Sequence, residues 1–217
     1  MEYNFDPMIK DYKNLFNKNG VSPASLGCPK GRLDLRYKNV SKYLNNSKTL
    51  LDYGCGFGDL YGYLISENLS LNYYGIDVID EFIEQARIKY PNGNFKLVKP
   101  LESLDIKVDS ICSLGTFNYL YSESEKKHFL LIKKIIKQLW SNIKINLILD
   151  FQSEFVDFKQ PKAYHQRLDI LLDFVTKEIS RRYIVDYSYM PYEFSICIFK
   201  ECEIIRPQNV YKIIKNI

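Results

Sequence analysis

The spacing of apolar positions changes along the chain, and each change marks an element. From Phe5 to Phe16 the apolar residues suit one helix, and Asn19-Gly20 stops it. Pro23, Gly27, Pro29 and Gly31 make a loop. Leu33, Tyr37, Val40 and Leu44 return to helical spacing. Short apolar runs then alternate with helical patterns. Strands are expected at 49–51, 71–76, 95–98, 109–114 and 145–149. A helix at 60–65 follows the first. Another opens at Asp80, the expected N-cap, with Glu81 and Glu84 in its first turn. Ser122 with Glu125 reads as a capping box for a long helix carrying Leu130, Ile135, Ile136 and Leu139. Leu168, Leu171, Leu172 and Val175 mark a further helix. Two late strands, 183–187 and 194–199, are joined by a short link and form an antiparallel hairpin. The alternation predicts an α/β fold: a doubly wound, seven-stranded, mostly parallel sheet with a late antiparallel hairpin.

Composition narrows the class without naming a function. The 217 residues are 46% hydrophobic and 15% aromatic, enough for a substantial core and against a disordered or fibrous chain. A net charge of +4 does not by itself point to nucleic acid. Five cysteines, with no CxxC pair, fit reduced thiols in a cytoplasmic protein rather than a metal site. No signal sequence and no 18-residue apolar run is expected to insert in a membrane. The 18 tyrosines, against one tryptophan, stand out.

The chemistry centres on Asp52-Tyr53-Gly54-Cys55-Gly56-Phe57-Gly58-Asp59, directly after the first strand. Glycines there permit a tight turn and close approach of a ligand to the backbone. The helix that follows offers free N–H groups. The dinucleotide fingerprint GxGxxG needs a glycine where Asp59 stands, and an acid beside a pyrophosphate is unfavourable. Asp77 ends the second strand, 23 residues after Gly54, where its carboxylate can accept ribose hydroxyls. Each feature alone suits a purely structural turn. Together and in order they point to an adenosine-bearing cofactor.

The segment 49–64 resembles the first motif of the class I S-adenosylmethionine-dependent methyltransferases, and the Asp77 region resembles their second. Leu114-Gly115-Thr116-Phe117-Asn118, the stretch 153–158 and Met190-Pro191-Tyr192-Glu193-Phe194 are similar to a bacterial small-molecule branch, some of it linked to cell-surface sugar synthesis. The resemblance implies a Rossmann-like methyltransferase fold. It divides the chain into a helical lid segment (1–45), a cofactor-binding domain (46–202) and a tail (203–217). It implies that Gly54, Cys55 and Gly56 pass the methionine part of S-adenosylmethionine, with Asp52 supporting the turn or the amino group. Asp77 would hold the ribose and Val78 the adenine. Glu102 is the candidate acid near the adenine amine, from a shifted position. Leu114 and Gly115 would line the sulfonium end, and Arg36 would either meet the carboxylate or be a solvated helix residue.

Methyl transfer from a sulfonium needs alignment and exclusion of water, and a base only for some acceptors. His165, Tyr192 and Glu193 are the acceptor-side candidates; His165 also suits a surface position, and Glu193 a buried structural pair. His128 reads as structural or solvated. The expected reaction methylates a small molecule or sugar, oxygen being the favoured atom, and leaves S-adenosylhomocysteine. No metal is expected, and the chain is expected as a monomer or homodimer. A protein or nucleic-acid acceptor, a non-catalytic cofactor-binding protein and a nicotinamide oxidoreductase stay open. Leu114–Tyr119 has no Pro-Pro-aromatic motif, and the basic pairs are short, which argues against nucleic acid.

Overall fold

The computed structural model describes residues 3–28, 31–122 and 124–200. The apolar runs form β1 (Thr49–Tyr53), β2 (Asn72–Asp77), β3 (Asn94–Leu97), β4 (Val108–Ser113), β5 (Ile143–Gln152), β6 (Tyr183–Asp186) and β7 (Glu193–Phe199). The periodic segments form α1 (Asp6–Asn19), α2 (Arg32–Ser41), α3 (Asp59–Ser66), α4 (Asp80–Lys89), α5 (Glu125–Ser141) and α6 (Leu168–Glu178). The strands lie in the order β3-β2-β1-β4-β5-β7-β6. The first five are parallel, β7 runs antiparallel to β5, and β6 pairs antiparallel with β7. This is the seven-stranded, doubly wound sheet with a late hairpin that the sequence pattern predicts.

Neighbouring residues on each central strand serve opposite faces. Leu51, Ile111, Leu147 and Ile196 pack with Leu131, Ile135 and Leu139 of α5 and with Phe174 of α6. Leu50, Cys112, Ile148 and Cys197 pack with Val40 of α2, Leu60 and Leu64 of α3 and Ile83 of α4. Both faces are covered, so the strands read as continuous apolar runs. Helix α1 stands apart from both layers. Its Tyr12 and Phe16 meet Phe57 and Phe82 through ring contacts, over the turns that follow β1 and β2.

Several local expectations change in detail. Asp80 is the first helical residue rather than the cap of α4. Ile79 takes the cap position, and the Asp80 carboxylate pairs with Lys13 of α1. Ser124 caps α5, accepting from the Lys127 N–H, while Ser122 accepts from Ser124 N–H. Leu130 is 42% exposed; the buried face of α5 runs through Leu131 and Ile132 instead. The loop at 20–31 contains a 3-10 turn, Pro23–Leu26. The four described cysteines are free and buried. Cys202, Glu201 and the tail 203–217 lie outside the described residues.

Gly58 shows how tightly the turn after β1 is packed. It sits at φ +73°, and a methyl group there would stand 2.5 Å from the Phe95 ring. That ring is wedged between Tyr61, Tyr73 and Tyr90, so it cannot yield cheaply. Gly58→Ala is expected to destabilise the fold by about 2 kcal/mol or more, from overpacking and the left-handed backbone together. Urea unfolding midpoints check this, and an unchanged midpoint would count against the packing argument.

Candidate active site

A cavity of about 570 Å³ opens at the carboxyl ends of β1, β2 and β4. The strand order reverses between β1 and β4, so a crevice forms there and the loops of the two halves diverge around it. Its floor is the glycine turn. Gly54 and Cys55 donate to Ile76 O at 2.8 and 3.0 Å, which ties the turn to β2. Gly56 N–H donates to Asp77 Oδ2 at 2.9 Å, and Val78 and Ile79 N–H donate to Oδ1 at 2.7 and 3.0 Å. The Asp77 carboxylate therefore clasps the turn and the start of the next loop. Burial raises its pKa, and these three N–H groups work against that rise. A carboxylate has about four acceptor positions; these N–H groups use three, and Asp77 lines the cavity.

Gly54 sits at φ +83°, and a side chain there would run into Thr116. The Thr116 hydroxyl donates to Tyr53 O at 3.0 Å. Gly115, at φ +75°, gives way to the Arg36 guanidinium, and its N–H donates to Asp150 Oδ1 at 2.7 Å. Asp52, at the end of β1, accepts from Tyr73 Oη at 2.7 Å and from Cys112 Sγ at 3.6 Å. Burial pushes its carboxyl up to about 7, only partly countered by those two donors.

The roof is α1. Met8, Asp11, Tyr12 and Leu15 face the cavity from it. Asp11 accepts from Tyr119 Oη at 2.7 Å and from Lys162 Nζ at 2.6 Å, which joins α1 to the loops after β4 and β5. Burial holds the Tyr12 phenol up at about 12, with the Asp77 charge adding to the rise. Gln152 also lines the cavity, and its Oε1 is buried without a partner among the described residues.

The sequence candidates divide. Asp52, Gly54, Cys55, Gly56, Asp77, Val78, Leu114, Gly115 and Arg36 all line this one cavity. Glu102 does not; it is exposed and accepts from Lys99 N–H at 2.8 Å, while Pro100 and Leu101 line the wall beside it. His165, Tyr192 and Glu193 are also outside the lining. His165 is 5% exposed, and burial lowers its pKa. Tyr192 donates to Asp157 at 2.7 Å and is 40% exposed. Glu193 is fully buried against Arg36 and Arg32. His128 is structural: Nδ1 accepts from Tyr121 N–H at 3.1 Å, which leaves Nε2–H to donate to Phe117 O at 3.3 Å. Burial lowers its pKa to about 4, in keeping with that neutral ring.

Sequence reasoning missed Asp150, Arg32, Tyr12 and Gln152. Asp150 carried a usable signal, because like Asp52 and Asp77 it directly follows an apolar run. Arg32 and Tyr12 carried none, since only packing brings α1 and α2 to the cavity.

A model of a methyltransferase domain family matches residues 51–138, spanning β1 to most of α5. The chain has a Rossmann-like methyltransferase fold. It is 28% identical over 101 residues to a methyltransferase-named protein of invertebrate iridescent virus 6, covering 44% of this chain and 38% of the viral one. The chain thus spans well under half the length of that relative. It is 24% identical over 161 residues to a tRNA (guanine-N(7)-)-methyltransferase of Clostridium botulinum, covering 67% of this chain and 74% of that one. Among solved structures it is similar to magnesium protoporphyrin IX methyltransferase from Synechocystis with bound S-adenosylhomocysteine. That similarity has a TM-score of 0.62 and 16% identity, covering 90% of this chain and 95% of that one. Among the described residues no group of three His, Cys, Asp or Glu could hold a metal ion, and no helix is long and apolar enough to cross a membrane.

The Asp52 environment gives the fold a pH signature. A carboxyl held at about 7, against 3.8 when exposed, binds its proton more tightly in the folded state. Its contribution to stability is therefore lost as pH rises from about 4 through about 7. Asp52→Asn is expected to gain stability relative to the parent protein as pH climbs through that window, with a constant difference above it. Urea midpoints across the window test this; a difference that does not change with pH would refute it.

Proposed function

We propose that the cavity binds S-adenosylmethionine and that the enzyme transfers its methyl group to an oxygen of a small-molecule or sugar acceptor, leaving S-adenosylhomocysteine. The observation that carries the reading is the Asp77 clasp on Gly56, set at the switch point of the sheet beside the glycine turn. The backbone at Gly54, Cys55 and Gly56 lies open to the cavity and suits the methionine part. The acceptor position left on Asp77 suits a ribose hydroxyl. Val78 and Leu101 offer apolar contact to an adenine, with Glu102 too far round to reach it. Leu114 and Gly115 border the sulfonium end, Asp52 supports the turn beneath the amino group, and Arg36 meets the carboxylate.

The cofactor supplies an already activated methyl group. The protein's work is to align it with a nucleophile and keep water out. Helix α1 and the rings of Tyr12, Tyr53, Phe117 and Tyr121 wall the cavity against solvent. His165, Tyr192 and Glu193 stand back from it, and the lining acids Asp11, Asp52 and Asp77 hold other partners. An oxygen acceptor that arrives already ionised needs no base, so a carboxylate or acidic hydroxyl suits these walls best.

The tRNA methyltransferase relatives favour a second reading, a nucleic-acid acceptor. Against it, Lys13 and Lys162 at the roof are occupied by Asp80, Glu81 and Asp11, which leaves them little charge for a phosphate track. Labelled methyl transfer to a metabolite extract and to total tRNA separates the two, and label appearing in tRNA alone would overturn the small-molecule reading.

Calorimetry tests the cofactor assignment directly. S-adenosylhomocysteine is expected to bind and NAD not. Asp77→Ala removes both the ribose acceptor and the clasp, so affinity should fall about 10- to 100-fold, the worth of one or more charge-assisted hydrogen bonds. Unchanged affinity in a folded variant would remove Asp77 from the site.

A further inference from the structure

Four charged side chains meet at one wall of the cavity, and only two of them face it. Glu193, at the start of β7, is fully buried. Its Oε2 accepts from Arg36 Nε at 2.9 Å, and its Oε1 accepts from Arg36 Nη2 at 2.7 Å and Arg32 Nη1 at 3.0 Å. Asp150 Oδ2 lies 3.1 Å from Arg36 Nε and also accepts from Tyr189 Oη. Neither acid lines the cavity, whereas both arginines do.

The arginines keep donors in reserve on that side. Arg36 turns Nη1 toward Cys28 Sγ at 3.8 Å, a weak acceptor, and toward Gly115, where a methyl group would stand 2.8 Å away. Arg32 uses Nη1 on Glu193 and leaves 23% of its side chain exposed. A carboxylate arriving at these edges would replace a sulfur contact by charge-assisted hydrogen bonds. The forks are already fixed by Glu193, so little side-chain freedom is lost on binding.

We propose that Glu193 is a positioning residue: it aims Arg32 and Arg36 at the carboxylate of the cofactor's amino-acid end, without touching the cofactor. This rests on the reading of the cavity as an S-adenosylmethionine site, and it adds Arg32 as a second ligand and gives the late hairpin a part in cofactor binding. Asp150 pairs with Arg36 as Glu193 does, and Glu193 alone of the two acids reaches Arg32.

Two probes isolate the amino-acid end. S-adenosylhomocysteine carries the carboxylate, and 5′-methylthioadenosine has the same nucleoside without it. Calorimetry on the parent protein, Arg32→Met and Glu193→Gln gives the affinity ratio of the two probes. The ratio is expected to fall about 10- to 100-fold in each variant, because S-adenosylhomocysteine loses charge-assisted hydrogen bonds while 5′-methylthioadenosine binds as before. A merely structural role for Glu193 would weaken both probes alike and leave the ratio unchanged, which would overturn the proposal. Thermal melting monitors the fold. If Glu193→Gln does not fold, Arg32→Met decides, and an unchanged ratio there also overturns the proposal. Failure of the parent protein to bind either probe would sink the cofactor reading itself, a result distinct from an unchanged ratio.

Discussion

Three strands carry a buried carboxylate in their last residues, and the site is built on satisfying them. Asp52, Asp77 and Asp150 lie within the last three residues of β1, β2 and β5, each with less than a tenth of its surface exposed. An unpaired buried carboxylate is strongly unfavourable, so every one of them recruits donors. Asp77 takes three backbone N–H groups, and by doing so fixes the glycine turn. Asp150 takes the Gly115 N–H, the Tyr189 hydroxyl and the Arg36 guanidinium, and so fixes the loop after β4, the hairpin and α2. Asp52 has a phenol and a thiol, which only partly offset the burial that holds its carboxyl up at about 7. The strand ends that would take the cofactor are thus pre-shaped by acids seeking partners.

The parts that could be read from the sequence are those fixed by local rules. The parallel sheet and the hairpin follow from strands alternating with helices and from the short link between the last two strands. The turn at Gly54 and Gly56 and the acid at Asp77 are legible because a close backbone approach demands glycine and a strand-end acid is uncommon. Asp150, directly after Leu149, carries the same signal in the sequence, and β5 continues two residues beyond it. Glu102 failed for a different reason. The loop after β3 turns at Leu101, with φ +60°, and directs the Glu102 carboxylate back onto Lys99 N–H. No periodic pattern announces such a turn.

The tyrosines illustrate what only tertiary structure decides. Tyr164, Tyr189 and Tyr192 fall in segments expected near an acceptor, yet none of them lines the cavity. The phenols that do, including Tyr12, Tyr53, Tyr119 and Tyr121, come from the roof helix, the glycine turn and the loop after β4. By pattern Tyr12 is an ordinary helix residue, and Tyr53 belongs to the glycine turn. Their convergence depends on α1 crossing over the strand ends, which is settled by Phe16 against Phe57 and Phe82 and by Phe5 against Tyr121.

The two N-terminal helices are held by different physics, and this sets where the cavity is weakest. Helix α2 has 10 residues, too few for stability alone. It is anchored by buried bonds from Arg36 to Glu193 and from Asn39 to Ser195. Breaking them strands buried charge, which costs several kcal/mol, on the order of 3–5. Helix α1 buries only Met8 fully. Its ion pairs, Lys13 to Asp80 and Glu81 and Asp11 to Lys162, are largely in water, where such pairs contribute about 0–1 kcal/mol each. Its ring contacts are apolar and leave no orphaned charge when they separate. Displacing α1 therefore costs less than displacing α2. Of the two N-terminal helices, α2 behaves as part of the cooperative core, and α1 is held on it mainly by apolar rings.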